Sequence, residues 1–383
     1  MTKLKIQQCF QFGWENYFES HHPDFVKTKT SHAILNCKSG KLGSNHSTCT
    51  DCGHMQLHHN SCRNRHCPSC QAILNEVWID KRRAEVIDTP YYHVVFTLPH
   101  ELNSLIYCNQ NLLYSLFHRC SAETLLELSR DKKYLGATPG IIQVLHTWGQ
   151  ELNYHVHIHS IISGGGLSID GKLKKSSKTF FLPVKVMRDL FKGKFLAALK
   201  KYYDSGQLTY SSDCAGLRNS YGWNEFRNRL YQKDWCPYIK ETFNGFGNAI
   251  EYLGRYTHRI AITNARIRSV SETHTVFSAR DYRTGETRDI SLENTEFIRR
   301  FLMHVLPHRF QKIRYYGFLN NRSRKKNLKL IFKLQGFQKF RERYSGMTMA
   351  ELLEAVWHIS VRACPNCGGQ SMRHSGRTYA NLN

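Results

Sequence analysis

Apolar and polar positions follow different rules in different parts of the chain. Met1 to Phe25 is an amphipathic stretch rich in Gln, His and aromatic residues. Between Cys37 and Gln71 aliphatic residues are scarce and Cys, His, Asn, Ser and Gly dominate. Such a segment cannot bury a core of its own, so bound metal must supply the missing stability. From Tyr91 to Leu98 the residues become β-branched and aromatic and end at Pro99, which predicts a buried strand. Apolar residues at helical spacing predict a helix over Asn111–Leu128. A second strand is predicted from Tyr154 to Ser163, stopping at Gly164-Gly165-Gly166, with Asp170-Gly171 as a tight hairpin turn. Leu190–Tyr203, Asn248–His258 and Thr295–Val305 read as helices, and Thr275–Ile290 as a hairpin turning at Thr284-Gly285. Strands, helices and hairpins in this order predict an α+β fold with an antiparallel sheet.

Length and charge narrow the function. The 383 residues allow two or three domains, and a hydrophobic content of 41% excludes wholesale disorder. Lys and Arg number 54 against 30 Asp and Glu, a net +24, which calls for a polyanionic partner. There is no apolar run of membrane-spanning length and no charged-then-apolar leader, so neither a membrane span nor secretion is expected. With 13 Cys and no leader, metal thiolates in a reducing compartment are expected rather than disulfides. Cys9, Cys108, Cys120, Cys214 and Cys236 are scattered and read as packing residues.

Cys49-x-x-Cys52 followed by Cys67-x-x-Cys70 has the spacing of a tetrahedral structural zinc site. Cys37, His46, Cys62 and His66 supply enough further donors for a second zinc, and the pairing between the two sets cannot be read from spacing. A late pair, Cys364-x-x-Cys367, is half a zinc knuckle with His374 as a third candidate and no obvious fourth.

In Tyr154-His155-Val156-His157-Ile158-His159 the period of a strand puts three imidazoles on one face, a pattern able to hold one divalent ion. Isolated strand histidines are more often packing or surface residues. Tyr252 and Tyr256 stand four apart on the predicted helix, sharing a face, with Arg255, His258 and Arg259 nearby. Two tyrosines at that spacing are usually core. Beside a metal-binding strand in a chain of this charge, a phenolate becomes a competent nucleophile towards a phosphodiester.

Two further patterns carry less. Gly166-x-x-x-x-Gly171-Lys172 imitates a phosphate-binding loop, but Leu173 stands where Ser or Thr is required, so nucleotide binding is discounted. The basic stretch Arg309–Lys339, with Tyr315, Tyr316 and Phe318 interleaved, suits phosphate neutralisation and base stacking, although charge runs are commonly plain solvated surface.

Five segments taken together resemble one family. They are Asn60–Gln71 (NSCRNRHCPSCQ), His93–Pro99 (HVVFTLP), Leu145–Gln150 (LHTWGQ), the histidine strand with its three glycines, and Arg255–Arg259 (RYTHR). The chain resembles a two-tyrosine HUH transposase of the insertion-sequence 91 type, from about Cys37 to Tyr316 and more weakly to the late CxxC. The resemblance implies a zinc-binding DNA-recognition domain over 1–85, an antiparallel-sheet HUH nuclease domain over 86–270, and a basic C-terminal region over 271–383.

By the same resemblance His157 and His159 match the metal-binding pair, and Tyr252 and Tyr256 match the nucleophiles. His155 matches a histidine often found just before that pair, with Val156 replacing the usual Pro; His155, His146 and His258 all remain open as third ligand. The implied cofactors are structural Zn2+ and catalytic Mg2+ or Mn2+. The implied reaction cuts and rejoins single-stranded or hairpin DNA ends through a 5′-phosphotyrosine link in rolling-circle transposition. Arg63, Arg65, Arg255 and Arg259 are then expected on phosphates, a host helicase could assist, and a bacterial, cytoplasmic, nucleoid-associated location follows. Two alternatives stay open: a rolling-circle replication initiator or relaxase with the same chemistry, and a non-catalytic zinc-finger regulator.

Overall fold

A computed structural model of the chain describes residues 5–70, 72–176, 182–235, 237–242, 254, 260–281, 284–336 and 341–380. The chain begins with helices α1 (Ile6–His21) and α2 (Phe25–Asn36), then strands β1 (Ser44–Cys49) and β2 (Met55–His59), and α3 (Ala72–Arg83). Next come β3 (Tyr91–Thr97), α4 (Asn103–Cys108), α5 (Gln110–Arg130), β4 (Thr138–Trp148), β5 (Tyr154–Leu167) and β6 (Leu173–Lys175). Helices α6 (Val184–Asp204) and α7 (Ser220–Gln232) lead to β7 (Tyr238–Thr242). The last part holds β8 (Ile267–Val270), β9 (His274–Arg280), β10 (Thr287–Glu293), α8 (Asn294–Met303), β11 (Ile313–Gly317), α9 (Arg324–Gln335), α10 (Met349–Trp357) and β12 (Met372–Thr378).

The expected α+β class with antiparallel sheets is what the chain forms. The central sheet runs β11-β4-β5-β3-β7, with β6 added to the end of β5. Alternation along β5 splits its side chains. Val156, Ile158 and Ile162 join Val94 and Phe96 of β3 and Ile141 and Leu145 of β4 in a core closed by Phe117 of α5 and Phe191 and Phe195 of α6. Each of these large side chains contributes about 1.5–3 kcal/mol by leaving water. Ile161, with Ile142 and Val144 of β4, packs on the opposite face against Ile79 of α3 and Leu328 and Ile331 of α9.

One expected strand end is corrected. β5 does not stop at Gly164 but runs through the three glycines to Leu167. Their small size is what allows it: a Cβ on Gly166 would lie 2.2 Å from the Thr138 carbonyl oxygen of β4.

Chain ends are built into distant parts of the fold. Phe10 of α1 meets Phe301 of α8 edge-on at 5.4 Å, within a core that includes Phe277 of β9. β11, from the basic stretch, is a strand of the central sheet, and β12 pairs antiparallel with β1 in a small sheet β12-β1-β2.

Candidate metal and nucleic-acid site

Register brings the histidines together. His146 of β4 stands directly across from His157 of β5, and Val144 across from His159, so His146, His157 and His159 share the sheet face opposite the α5–α6 core. One ring nitrogen from each lies within 4.8 Å of the other two. Burial, followed by the neighbouring His155, lowers the His157 pKa to about 3, which keeps its imidazole neutral and its lone pair available. His157 Nδ1 donates to the His155 carbonyl at 2.9 Å, so a metal bond from this ring would fall to Nε2.

His155 is placed differently from the spacing argument. It is exposed, its ring centroid is 5.1 Å from that of His157, and it is not part of the three-nitrogen cluster. It stands near the start of β5, where the pairing with β4 is irregular between His146 and Trp148. His146, one of three alternatives from sequence, takes the place instead. A residue without an assigned role also belongs here: His93 of β3, buried, has Nε2 2.8 Å from His159 Nδ1.

Tyr252, Tyr256, Arg255, His258 and Arg259 lie outside the described residues. Gly254, between the two tyrosines, is described; it is helical and buried. A Cβ there would sit 2.3 Å from Ile79 Cδ1 and Cγ1. Ile79 belongs to the layer covering Ile142, Val144 and Ile161, so Gly254 packs on the same face of the sheet that carries the histidine cluster.

Thiol pairing corrects the expectation that Cys49, Cys52, Cys67 and Cys70 form one site. Cys67 and Cys70 join Cys37 and Cys62, while Cys49 and Cys52 join Cys364 and Cys367. The pairs are carried apart by their elements. Cys37 follows α2 and sits with Cys67 in the core formed by α1 and α8, with Cys37 and Cys70 sulfurs 3.2 Å apart and Cys62 and Cys70 sulfurs 3.6 Å apart. Cys49 ends β1 on the small sheet. Hydrogen bonding with Cys37 first, then with the other sulfurs, pushes the Cys67 thiol up and the Cys70 thiol down.

His46 and His66 join neither cluster. His46 Nε2 contacts Thr378 Oγ1 at 2.5 Å across the β1–β12 pair. His66 Nε2 accepts from the Leu306 amide at 3.3 Å, and burial lowers its pKa to about 3, so it anchors a loop as a neutral acceptor. The late His374 lies on β12, exposed and apart from the thiols.

The basic residues divide. Arg63 is exposed, as phosphate contact requires. Arg65 instead donates to the carbonyls of Phe310 at 2.6 Å, Pro307 at 2.8 Å and Leu306 at 3.3 Å, which fixes the 306–310 loop. Beside it is a cleft lined by Lys29, Asn64, Arg65, His308 and Arg309. Within the basic stretch Arg309–Lys339 no sequence pattern sets Lys312 apart from its neighbours. Burial, then Arg65, lowers its pKa to about 7, and its Nζ lies 4.9 Å from the Trp148 ring centroid. The interleaved aromatics are structural: Phe318 is buried, and Tyr315 accepts from Arg82 at 2.8 Å and Trp78 at 3.1 Å.

An antiparallel α+β protein with a cysteine-rich N-terminal part and a three-imidazole cluster is the class these features define. Residues 9–98 match the family model described as a transposase zinc-binding domain, and residues 140–327 the model described as a putative transposase. A relative from Sinorhizobium fredii (strain NBRC 101917 / NGR234), named putative transposase y4qJ, is 40% identical over 88% of this chain and 85% of its own. The transposase for insertion sequence element IS801 from Pseudomonas savastanoi pv. phaseolicola is 29% identical over 81% of this chain and 74% of its own. The chain belongs to the transposases of the insertion-sequence 91 type. The zinc-binding match and the thiol clusters support structural zinc. No helix among the described residues is long and apolar enough to cross a membrane.

Proposed function

We propose that the protein nicks and rejoins single-stranded DNA through a 5′-phosphotyrosine intermediate in rolling-circle transposition. His146, His157 and His159 hold the catalytic divalent ion, and Tyr252 and Tyr256 are the nucleophiles. The observation that carries this reading is the convergence of three ring nitrogens on the sheet face against which Gly254 of the tyrosine motif packs. The donor set fits a divalent cation because a neutral imidazole offers a lone pair, and His157 is held neutral. Of the two ions expected, Mn2+ suits nitrogen donors better than Mg2+, which prefers oxygen. Such an ion supplies Lewis acidity to the scissile phosphate.

The rest is the work of the chain. One tyrosine loses its proton and its oxygen attacks phosphorus; the bond to the 3′-oxygen breaks, and the 3′-hydroxyl leaves with a proton. The ester keeps the bond energy, so rejoining needs no nucleotide triphosphate. The second tyrosine can open another strand while the first still holds an end. Exposed Arg63 and the cleft around Lys29 and Arg309 offer cations to the backbone, with affinity that falls as salt rises. In this reading residues 1–85 recognise DNA, 86–270 perform the chemistry, and 271–383 add basic surface.

The test is cleavage of single-stranded DNA from the element's end with Mn2+ or Mg2+. His146→Ala and His157→Ala should each lower the rate by more than the about 100-fold that outer-shell partners of a metal reach. His155→Ala should retain most activity. Full cleavage by His146→Ala would overturn the ligand assignment.

A further inference from the structure

The family match for zinc binding runs over residues 9–98 and therefore contains Cys49 and Cys52 but neither Cys364 nor Cys367. Yet these four sulfurs form a site of their own. Cys49 and Cys367 sulfurs are 3.7 Å apart, Cys52 and Cys364 sulfurs 3.6 Å, and all four lie within 4.8 Å of one another. Tetrahedral zinc with bonds of about 2.3 Å requires sulfurs about 3.8 Å apart. The spacing is that of a four-thiolate zinc site.

Both halves are built alike. The Cys49 amide donates to the His54 carbonyl at 2.8 Å and its carbonyl accepts from Gly53 at 3.0 Å. In the other half the Cys364 amide donates to Gly369 at 2.7 Å and its carbonyl accepts from Gly368 at 2.9 Å. In each, the glycine after the second cysteine has a left-handed φ, +71° at Gly53 and +73° at Gly368, which turns the chain so both sulfurs point inward. Asn366 Nδ2 adds a donor to Cys52 Sγ at 3.6 Å.

A second observation shows that something besides burial must hold this part together. The apolar cluster here consists of Cys49, Cys364 and Met372. Along β12 only Met372 is buried, while Arg373, His374, Ser375 and Arg377 are exposed. A three-stranded sheet with so small a core is below what burial alone stabilises. The strands it joins are also far apart in sequence: Ser44 pairs with Thr378 and Cys49 with Met372. Closing a loop of that length carries a large entropy cost, and a metal clip across it is correspondingly effective.

We propose that Cys49, Cys52, Cys364 and Cys367 bind a second structural Zn2+, separate from that of Cys37, Cys62, Cys67 and Cys70, and that this ion clamps β12 onto the β1–β2 hairpin. The two ends of the chain then form one metal-built module. β12 brings Arg373 opposite Thr48 and Arg377 opposite Asn45, so the surface of the N-terminal zinc domain includes cations from the C-terminal end. Each site has two buried sulfurs, Cys49 and Cys364 here and Cys37 and Cys67 in the other, but Cys52 and Cys367 are exposed where Cys62 and Cys70 are half-buried, so the clamp is the more accessible site.

The experiment measures zinc per full-length chain by elemental mass spectrometry and maps thiol alkylation during stepwise chelation. Wild type should carry two zinc ions, and Cys364→Ser plus Cys367→Ser should carry one. On chelation, Cys49, Cys52, Cys364 and Cys367 should become alkylated together, ahead of Cys37 and Cys67. One zinc in wild type, two retained in the double variant, or alkylation of Cys364 and Cys367 at a rate indifferent to chelation would each overturn the proposal. If the variant fails to fold, the alkylation order in the unaltered chain decides alone. None of these readouts depends on DNA cleavage, so they stand whether or not the tyrosine chemistry is correct.

Discussion

His93 on β3 meets His159 on β5 ring to ring: Nε2 of His93 is 2.8 Å from Nδ1 of His159, with the ring planes 8° apart. If His159 binds metal through Nε2, its Nδ1 must carry the proton and donate to His93, which fixes both tautomer and ring direction. Replacing His93 by Ala should weaken Mn2+ binding by about 10–100-fold while leaving the fold intact. His93→Gln, which keeps an acceptor, should recover part of the loss. Calorimetric titration with Mn2+ measures it, and an unchanged affinity for His93→Ala would remove His93 from the site.

Gly254 is set against Ile79, with no room for a methyl group. Gly254→Ala should destabilise the protein by about 1–3 kcal/mol, the usual range for overpacking. It should also lower cleavage by displacing the backbone at Gly254, which stands between the two proposed nucleophiles in sequence. Ile79→Ala makes the missing space, so the double variant should be more active than Gly254→Ala alone. A cleavage assay and thermal melts on both variants check this; no recovery in the double variant would mean the close approach does not matter.

Buried neutral histidines set the acid limit, and alongside His66 and His157 two of them stand away from any proposed ligand role. Burial, followed by the Arg314 charge, lowers the His118 pKa to about 3, and burial lowers that of His304 to about 4. Both folded-state values lie below the ordinary 6.5, so the unfolded chain takes up protons first. Stability is therefore insensitive to this pair above about pH 6.5 and falls as pH drops from there towards 4, by up to about 1.4 kcal/mol per unit for each group. His118 donates through Nδ1 to Gln143 Oε1 at 3.0 Å, so His118→Gln should lessen the slope while His118→Ala also lowers stability at neutral pH. Melting temperature measured between pH 7 and 5 tests it; a flat profile would be the wrong outcome.

Lys29 and Arg309 line a cleft between α2 and the 306–310 loop. If the cleft holds backbone phosphates, Lys29→Ala plus Arg309→Ala should weaken single-stranded DNA binding similarly for all sequences. The slope of log affinity against log salt should fall by about 0.7 for each phosphate no longer neutralised. Fluorescence anisotropy at several salt concentrations reads both; an unchanged slope would move the phosphates elsewhere.

What is legible in the sequence is periodic and local. A β-branched and aromatic run identifies β3, alternation the first part of β5, and helical spacing α5 and α6. The strand end at Gly164 is misplaced because glycine signals a break in sequence, whereas here it admits the neighbouring backbone of β4. The histidine strand reads as three rings on one face, whereas the cluster takes its third nitrogen from β4, and which residue stands across from His157 is a matter of register between strands. Zinc pairing escapes spacing for the same reason over a longer range, since the partner of Cys49 lies 318 residues away. Tyr315 has the pattern of a stacking residue and is instead a hydrogen-bonded part of the layer beneath α3 and α9.

In the proposed reaction a tyrosine becomes covalently joined to DNA under control of the histidine cluster. The most direct measurement is peptide mapping of the protein–DNA adduct formed on labelled single-stranded DNA from the element's end, using wild type, Tyr252→Phe, Tyr256→Phe, the double variant and His157→Ala. The expected product is a metal-dependent 5′-phosphotyrosine at Tyr252 or Tyr256, lost completely in the double variant and in His157→Ala. An adduct on another residue, or one that survives in the double variant, would contradict it.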